Sequence, residues 1–483
     1  MFEIFTSITN FLWGIPLLIT ILITGLYFTI KSNGFQFKHF GLIVTNIFKS
    51  GKENKKSEGK KSLTPFQAIS IAVGGTVGVS NISGVATAIA TGGPGALFWI
   101  WVAAFLGMII KMAEVTLAVY YRETASDGTF RGGPTYYIEK ALGEQRGMKI
   151  WKPLAIIFGL GIFITWPITI QNYTVSEAVG STFNIPYIIP SILLVIGIYI
   201  VTLGGLKNIG VIASYLVPIM CVFYICCGVY ILLANISSIP TTFALIFKGA
   251  FTAQAATGGF IGASVATAMR LGFARSVFSN EAGWGTSPMI HATADVDHPI
   301  KQGLLGAFEV FADTILVCSI TGLVVIATGY WQSGLTGANL TLTAFESVMG
   351  FAARVIIAVS IYLFALTTNT GWFTYYMTLL DHAIEDGTKI KKVFQKIFLY
   401  GNPLWGFLIL VITVYSGGTP EQIWVIADFS SVVPTFINVA VLFMIGGKFV
   451  ELLKDYKARY MGIGNVDPNF KLFYEDEVKQ KNY

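Results

Sequence analysis

Gly74-Gly75-Thr76-Val77-Gly78-Val79-Ser80-Asn81 interrupts a long apolar run, and Gly258-Gly259-Phe260-Ile261-Gly262-Ala263-Ser264 interrupts another. The same four residues, Val-Ala-Thr-Ala, follow each interruption, at 85–88 and at 265–268. A helix in hydrocarbon has no water to replace a lost backbone hydrogen bond, so a glycine-rich weakness there needs a local reason. Paired interruptions in two halves of one chain point to the midplane site of a transporter built from repeats.

Composition agrees with a membrane protein. The 483 residues are 54% hydrophobic and 12% charged, about half the charge of an ordinary soluble chain. Apolar stretches of bilayer length recur along the sequence. They read as eleven spans: 11–30, 65–91, 94–121, 153–177, 186–204, 208–234, 250–269, 303–328, 351–379, 396–415 and 422–446. Met1–Asn10 holds no Lys or Arg and contains Glu3, so the first span reads as a retained helix rather than a cleaved signal. Nearly all of the 32 Lys and Arg fall in alternate loops and in the tail from 448. That asymmetry predicts an N-terminus outside and a C-terminus in the cytoplasm of a plasma-membrane protein. The +6 net charge therefore reflects orientation, and the basic run Lys49–Lys61 reads as a loop near anionic lipid, not a nucleic-acid site. Cys221, Cys226, Cys227 and Cys318 all lie in apolar spans, with no disulfide framework or metal spacing.

Setting the first span aside leaves two sets of five. An odd number of spans per set makes the second enter from the opposite side, an inverted repeat. The expected organisation is an extra span and basic loop over 1–62, five-helix halves over 63–236 and 237–447, and a polar tail over 448–483 with no further folded domain.

An unwound helix frees carbonyls for a cation and offers a positive half-helix end to a carboxylate. Such a site would hold a zwitterion without a charged side chain, and no ionisable residue occurs in the second span or, before Arg270, in the seventh. Thr76, Ser80 and Asn81 add neutral oxygens, and the ninth span adds Thr367-Thr368-Asn369-Thr370 ahead of Gly371-Trp372. Hard oxygen donors of this kind suit sodium. Trp166-Pro167 and Gln171-Asn172 mark the fourth span. Glu309 and Asp313, four apart in the eighth span, share a helix face; a carboxylate within a span would ligate a cation, relay protons or pair with a base. Lys111 and Glu114 are spaced to pair with each other.

Three blocks of this sequence resemble those of the alanine or glycine:cation symporters: Gly92–Trp101 (GGPGALFWIW), Gly78–Ala90 (GVSNISGVATAIA) and Arg275–Pro288 (RSVFSNEAGWGTSP). The resemblance implies an all-α polytopic protein of the leucine-transporter type, with five-plus-five inverted helices after one extra, and sodium-driven uptake of alanine or glycine. It implies one sodium site from Gly74, Val77, Phe364, Thr367 and Thr368, and a second from Thr76 and Asn81 with Asp313. It implies substrate contacts from Gly78, Asn81, Gln171, Asn280 and Trp372, beside Gly258, Gly259 and Phe260. Two places remain open for the working break of the seventh span, Gly258–Gly262 and Ser279–Gly285. The span assignment favours the former, because Arg270 and Arg275 suit a membrane surface. Within this class, proton coupling through Glu309 and Asp313, or a different small neutral amino acid, is the alternative. A channel would want charge rings along a pore, and a membrane enzyme would want a nucleophile–base or metal constellation; neither pattern is present.

Overall fold

The computed structural model describes residues 2–53, 62–166, 170–253, 264–416 and 420–481, and among them the regular structure is helical apart from one two-stranded hairpin and an isolated bridge between Leu63 and Ala294. The N-terminal part comprises α1 (Phe2–Leu12), α2 (Ile15–Lys31), α3 (Phe35–Lys38) and α4 (Phe40–Glu53). Next come α5 (Pro65–Thr76), a π-helical turn at Ser80–Gly84 that runs into α6 (Val85–Gly92), and α7 (Gly95–Tyr120). Strands β1 (Glu123–Thr124) and β2 (Phe130–Arg131) precede α8 (Pro134–Tyr137), α9 (Trp151–Ile164), α10 (Gln171–Phe183), α11 (Ile188–Thr202) and α12 (Gly205–Ala234). The second half runs through α13 (Ile239–Phe251), α14 (Val265–Asn280), α15 (Ser287–His291) and α16 (Pro299–Val310). A π-helical stretch at Phe311–Cys318 leads into α17 (Ser319–Ala327), followed by α18 (Gly337–Met349), α19 (Phe351–Ala383), α20 (Lys389–Ser416), α21 (Pro420–Met461) and α22 (Tyr474–Lys481).

Among the described residues, seven helices are long and apolar enough to cross a bilayer, and the bent pair Pro65–Thr76 and Ser80–Gly92, turning through 46°, makes an eighth. Shorter apolar helices stand at Trp151–Ile164, Ile188–Thr202 and Ile236–Phe251. Outward faces are themselves apolar. Ile192, Ile196 and Ile200 on α11 and Ile219, Val222 and Phe223 on α12 are all exposed, which suits lipid rather than water.

The glycine break that opened the sequence reading is real in the first half. Thr64 caps α5 by accepting the Gln67 N–H at 3.2 Å, while Gln67 Oε1 accepts the Thr64 N–H at 3.1 Å, a reciprocal start signal with Pro65 in the first turn. The helix ends at Thr76, and Val77 is extended at φ −71° and ψ 98°. The seventh span differs from expectation. Residues 250–269 straddle the end of α13 and the start of α14, and Gly258–Gly262 lies outside the described residues. α14 instead runs to Asn280, carrying Arg270 and Arg275 within it. Arg275 is accommodated there because its guanidinium donates to Asp428 of α21 at 2.7 Å; an isolated Arg looks like a surface marker, and a paired one need not be. Among the described residues, the chain breaks after α14 at Glu281–Thr286, where Glu281, Gly283 and Gly285 all have positive φ (54°, 88° and 85°).

α7 is the central post. From Ala103 to Tyr120 only Phe105 is exposed, and α14, α16 and α2 pack around it. The contact with α16 depends on small residues: a Cβ at Gly303 would lie 2.1 Å from Thr116 Oγ1 and 2.9 Å from the Met112 carbonyl. At the hairpin end, the tail does more than its composition suggested. The Tyr474 hydroxyl donates to Glu144 at 2.9 Å, Glu475 accepts the Thr124 N–H at 2.6 Å, and Arg122 lies 4.6 Å from the Phe473 ring centre.

Gly303→Leu should therefore lower the thermal unfolding midpoint of the purified protein, since overpacking a tight contact costs about 1–3 kcal/mol. Gly159→Leu is the control, because nothing lies within 4 Å of a Cβ there. Equal midpoints for the two variants would contradict the close α7–α16 contact.

Candidate functional site

The two breaks face one small cavity, with about 70 Å³ open to the centre of a water molecule. Gly75, Thr76, Gly78, Val79 and Ser80 line it from the first break, and Phe278, Glu281 and Trp284 from the second. Trp166 and Gln171 contribute from either side of residues 167–169, which lie outside the described residues, and Thr368, Asn369, Trp372 and Tyr376 contribute from α19. Thr165, Ile170, Asn402 of α20 and Ser430 of α21 also line it. The glycines are needed for closeness. A Cβ at Gly75 would meet the Tyr375 hydroxyl at 2.6 Å, one at Gly78 the Thr368 hydroxyl at 2.7 Å, and one at Gly371 the Gly75 Cα at 3.0 Å. Backbone therefore meets backbone and hydroxyl where α5 crosses α19.

That crossing gathers neutral oxygens. The Thr368 hydroxyl donates to the Gly74 carbonyl at 3.1 Å, and the Thr367 hydroxyl donates to the Phe364 carbonyl at 3.0 Å. A Cβ on Gly74 would be 3.6 Å from Thr367 Oγ1, so Gly74, Thr367 and Thr368, three of the five residues expected to form one sodium site, meet near the end of α5; Phe364 precedes Thr367 by one turn of α19, and Val77 follows α5. Hydroxyl and carbonyl oxygens without a carboxylate fit a monovalent hard cation.

The second expected cation group is arranged differently. Asn81 Oδ1 accepts the Gly78 N–H at 2.8 Å, and Asn81 Nδ2 donates to Asp313 Oδ1 at 2.6 Å. Asp313 also accepts from Ser279 at 2.9 Å and Thr314 at 2.7 Å. The carboxylate is thus a fully buried acceptor that ties the first break, the end of α14 and the π-helical stretch together. Thr76 stands apart from this pair, its hydroxyl turned back to the Ala72 carbonyl at 3.1 Å.

Beneath the second break lies a buried charged network. Lys111 and Glu114, expected to pair with each other, diverge. Lys111 Nζ donates to the Glu281 carbonyl at 3.0 Å and to Ser287 at 2.8 Å, with Glu309 Oε1 at 3.8 Å. Glu114 accepts the Gly283 N–H at 3.1 Å and Asn438 Nδ2 at 2.5 Å, and Asn438 also donates to the Gly283 carbonyl at 2.9 Å. The Gln302 amide NH2 lies 2.7 Å from His291 Nδ1, which assigns the ring hydrogen to Nε2, facing Glu309 at 2.9 Å. Unwound backbone in a dry interior must find such partners.

Of the expected substrate residues, Gly78, Gln171 and Trp372 line the cavity. Asn280 lies away from it: its amide donates to Ser276 at 3.1 Å and Thr314 at 3.0 Å and accepts the Ala282 N–H at 3.0 Å. Asn81 is held against Asp313 as described. Gly258, Gly259 and Phe260 lie outside the described residues. The lining instead includes Phe278, Glu281 and Trp284, all within the Arg275–Pro288 block, which holds the alternative break Ser279–Gly285.

A protein-family model described as the sodium:alanine symporter family matches residues 1–471. The chain belongs to that family. The sodium/alanine symporter AgcS of Methanococcus maripaludis is 36% identical over 459 residues, covering 93% of this chain and 96% of that one. The probable sodium/glutamine symporter GlnT of Bacillus subtilis is 33% identical, covering 98% and 93%. A crystal structure of the Eremococcus coleocola manganese transporter aligns with a TM-score of 0.52 at 11% identity, over 84% of this chain and 81% of that one. That likeness concerns the fold alone, the expected all-α architecture of leucine-transporter type. The sodium:alanine symporter family is one of membrane transporters, not enzymes.

Gly78→Val should abolish transport without loss of the protein from the membrane, because its branches would be driven into Thr368 and the cavity. Uptake alongside immunoblotting of membranes checks this, and near-normal uptake would show that the close approach at Gly78 is dispensable.

Proposed function

We propose that this protein takes up a small neutral amino acid, alanine or glycine, together with sodium, across the plasma membrane by alternating access. The N-terminus is outside and the tail cytoplasmic on this reading, with 63–236 and 237–447 as the inverted halves. The observation that carries it is the meeting of the Thr367 and Thr368 hydroxyls with Gly74 near the end of α5, beside a cavity lined by Gly78, Gln171 and Trp372; Val77 and Phe364 would complete the cation's set of oxygens. Sodium is cargo here, held by α5 and α19 at once, and the amino acid lies against the same two helices. Glu309 and Asp313, the residues that would serve proton coupling, are already engaged by Lys111, His291, Asn81, Ser279 and Thr314, which favours sodium as the coupling ion.

Size selection follows from the walls. Trp372 packs against Trp284 with ring centres 5.2 Å apart and against Tyr376 at 6.0 Å. Large rings with few rotamers leave little side-chain space.

Radiolabelled alanine uptake into proteoliposomes should require an inward sodium gradient, and an acid-outside gradient alone should not replace it. Thr368→Ala should raise the sodium concentration for half-maximal uptake. Equal uptake in sodium-free buffer under a proton gradient would overturn the coupling assignment.

Unlabelled glycine and serine should compete with alanine, whereas leucine and phenylalanine should not. Trp372→Ala should let larger side chains compete. Leucine matching alanine in the wild type would overturn the small-pocket reading.

A further inference from the structure

Glu281 is the one carboxylate among the described cavity-lining residues, and it has no role in the reading above. It is 2% exposed. Its backbone is left-handed, at φ 54°, a conformation unusual for a residue with a side chain. Thr286 donates its hydroxyl to Glu281 Oε2. Lys111, the nearby ammonium, reaches the Glu281 carbonyl and the Glu309 carboxylate instead. Among the described residues no cationic side chain forms an ion pair with the Glu281 carboxylate. A buried carboxylate with one hydroxyl donor is costly unless a positive partner arrives.

A second observation concerns the other lining residues. Trp166 Nε1, Trp284 Nε1, Asn402 Nδ2 and Ser80 Oγ are buried and have no hydrogen-bond partner among the described residues. Three of them can only donate. The cavity thus offers unused donors together with one under-neutralised anion. Ser80 also begins the helix Ser80–Gly92, whose first N–H groups have no partner within the helix. These are the two complements of a zwitterion: donors for its carboxylate and an acceptor for its ammonium.

We propose that the Glu281 carboxylate is the counter-ion of the substrate ammonium, and so the residue that restricts this site to amino acids over the matching hydroxy or deamino acids. The inference rests on the amino-acid reading above and names the group that recognises the amino end. An organic ammonium fits better than a second sodium. Phe278 and Trp284 line the same cavity as Glu281 and supply rings, whereas a hard cation wants several oxygens. It also revises the expectation that the zwitterion is held by backbone dipoles and neutral side chains alone.

The test is equilibrium binding of radiolabelled alanine to the purified full-length protein in sodium. Competitors are L-lactate, which carries hydroxyl in place of ammonium, and propanoate. In the wild type, lactate should compete at least about 100-fold less well than alanine. Glu281→Gln keeps the size and the acceptor for Thr286, and should weaken alanine at least about tenfold while leaving lactate within about twofold. Glu281→Asp should recover part of the loss. Retained thermal stabilisation by sodium reports that the variants are folded. Three results overturn the inference: lactate rivalling alanine in the wild type, alanine binding unchanged in Glu281→Gln, or equal weakening of alanine and lactate. Sodium-dependent alanine binding that survives Glu281→Gln would leave the proposed function standing. If the wild type does not bind alanine, the alanine reading fails, and the same comparison is run with glycine, serine or glutamine, whichever binds, and its hydroxy analogue.

Discussion

Every unpaired N–H and C=O in the hydrocarbon region must be satisfied by the protein itself, and among the described residues the cavity is faced by two stretches of unwound backbone. Much of the remaining architecture follows from how those groups are satisfied. At the second break the partners are ionic: Lys111 holds the Glu281 carbonyl, Glu114 holds the Gly283 N–H, and Asn438 holds the Gly283 carbonyl. Lys111 and Glu114 are both on α7, the helix around which α14 and α16 pack, so the most enclosed post in the molecule carries the groups that brace its least regular segment. Burying them is tolerable because each charge meets several partners, and removing one member would strand the others.

The first break is braced without charge on its own residues. Asn81 closes it by accepting the Gly78 N–H and passes the contact on to Asp313 through its amide NH2. Thr368 covers the Gly74 carbonyl. This difference matters for movement. Neutral hydroxyl and amide contacts are each worth about 0.5–1.5 kcal/mol net, so the α5–α19 contact can rearrange at modest cost. A buried ionic network opens only at far greater cost. The second break therefore reads as the more fixed wall of the cavity, and the first as the more adaptable one.

The class, most spans and the first break were legible in the sequence, because bilayer length and glycine clustering are local signals. The paired interruptions pointed to the right fold class, and the second of them, Gly258–Gly262, lies outside the described residues. In the first half Val-Ala-Thr-Ala follows the break, within α6, but in the second half it opens α14, ahead of the break at Glu281–Thr286. The four-residue match does not mark equivalent places. Arg275 reads as a surface marker, because a sequence cannot display the partner Asp428, 153 positions away. The same limit hid Glu281. Gly78, Gln171 and Trp372 were found through composition and resemblance, whereas a carboxylate just ahead of two glycines looks like a loop until the fold encloses it. Lys111 and Glu114 show the converse: i,i+3 spacing permits a pair, but stronger claims from a distant backbone separated them.

Coupling between two cargoes requires that each alter the free energy with which the other binds, and the effect must be reciprocal. The geometry here offers a short route. Gly74 and Val77 belong to the end of α5, and Phe364, Thr367 and Thr368 to α19; a cation between them would draw the two helices together in place of the Thr368–Gly74 hydrogen bond. Gly75, Asn369 and Trp372, on the same two helices, and Gly78, two residues beyond the end of α5, are walls of the cavity. A shift of either helix that improves the cation's coordination therefore changes the cavity as well, without any relay through distant residues. With glycines at 75, 78 and 371 there is no side-chain padding to absorb such a shift, and packed interfaces of this kind switch between discrete arrangements instead of deforming smoothly. The absence of side chains at that crossing is what would let two small cargoes sense one another.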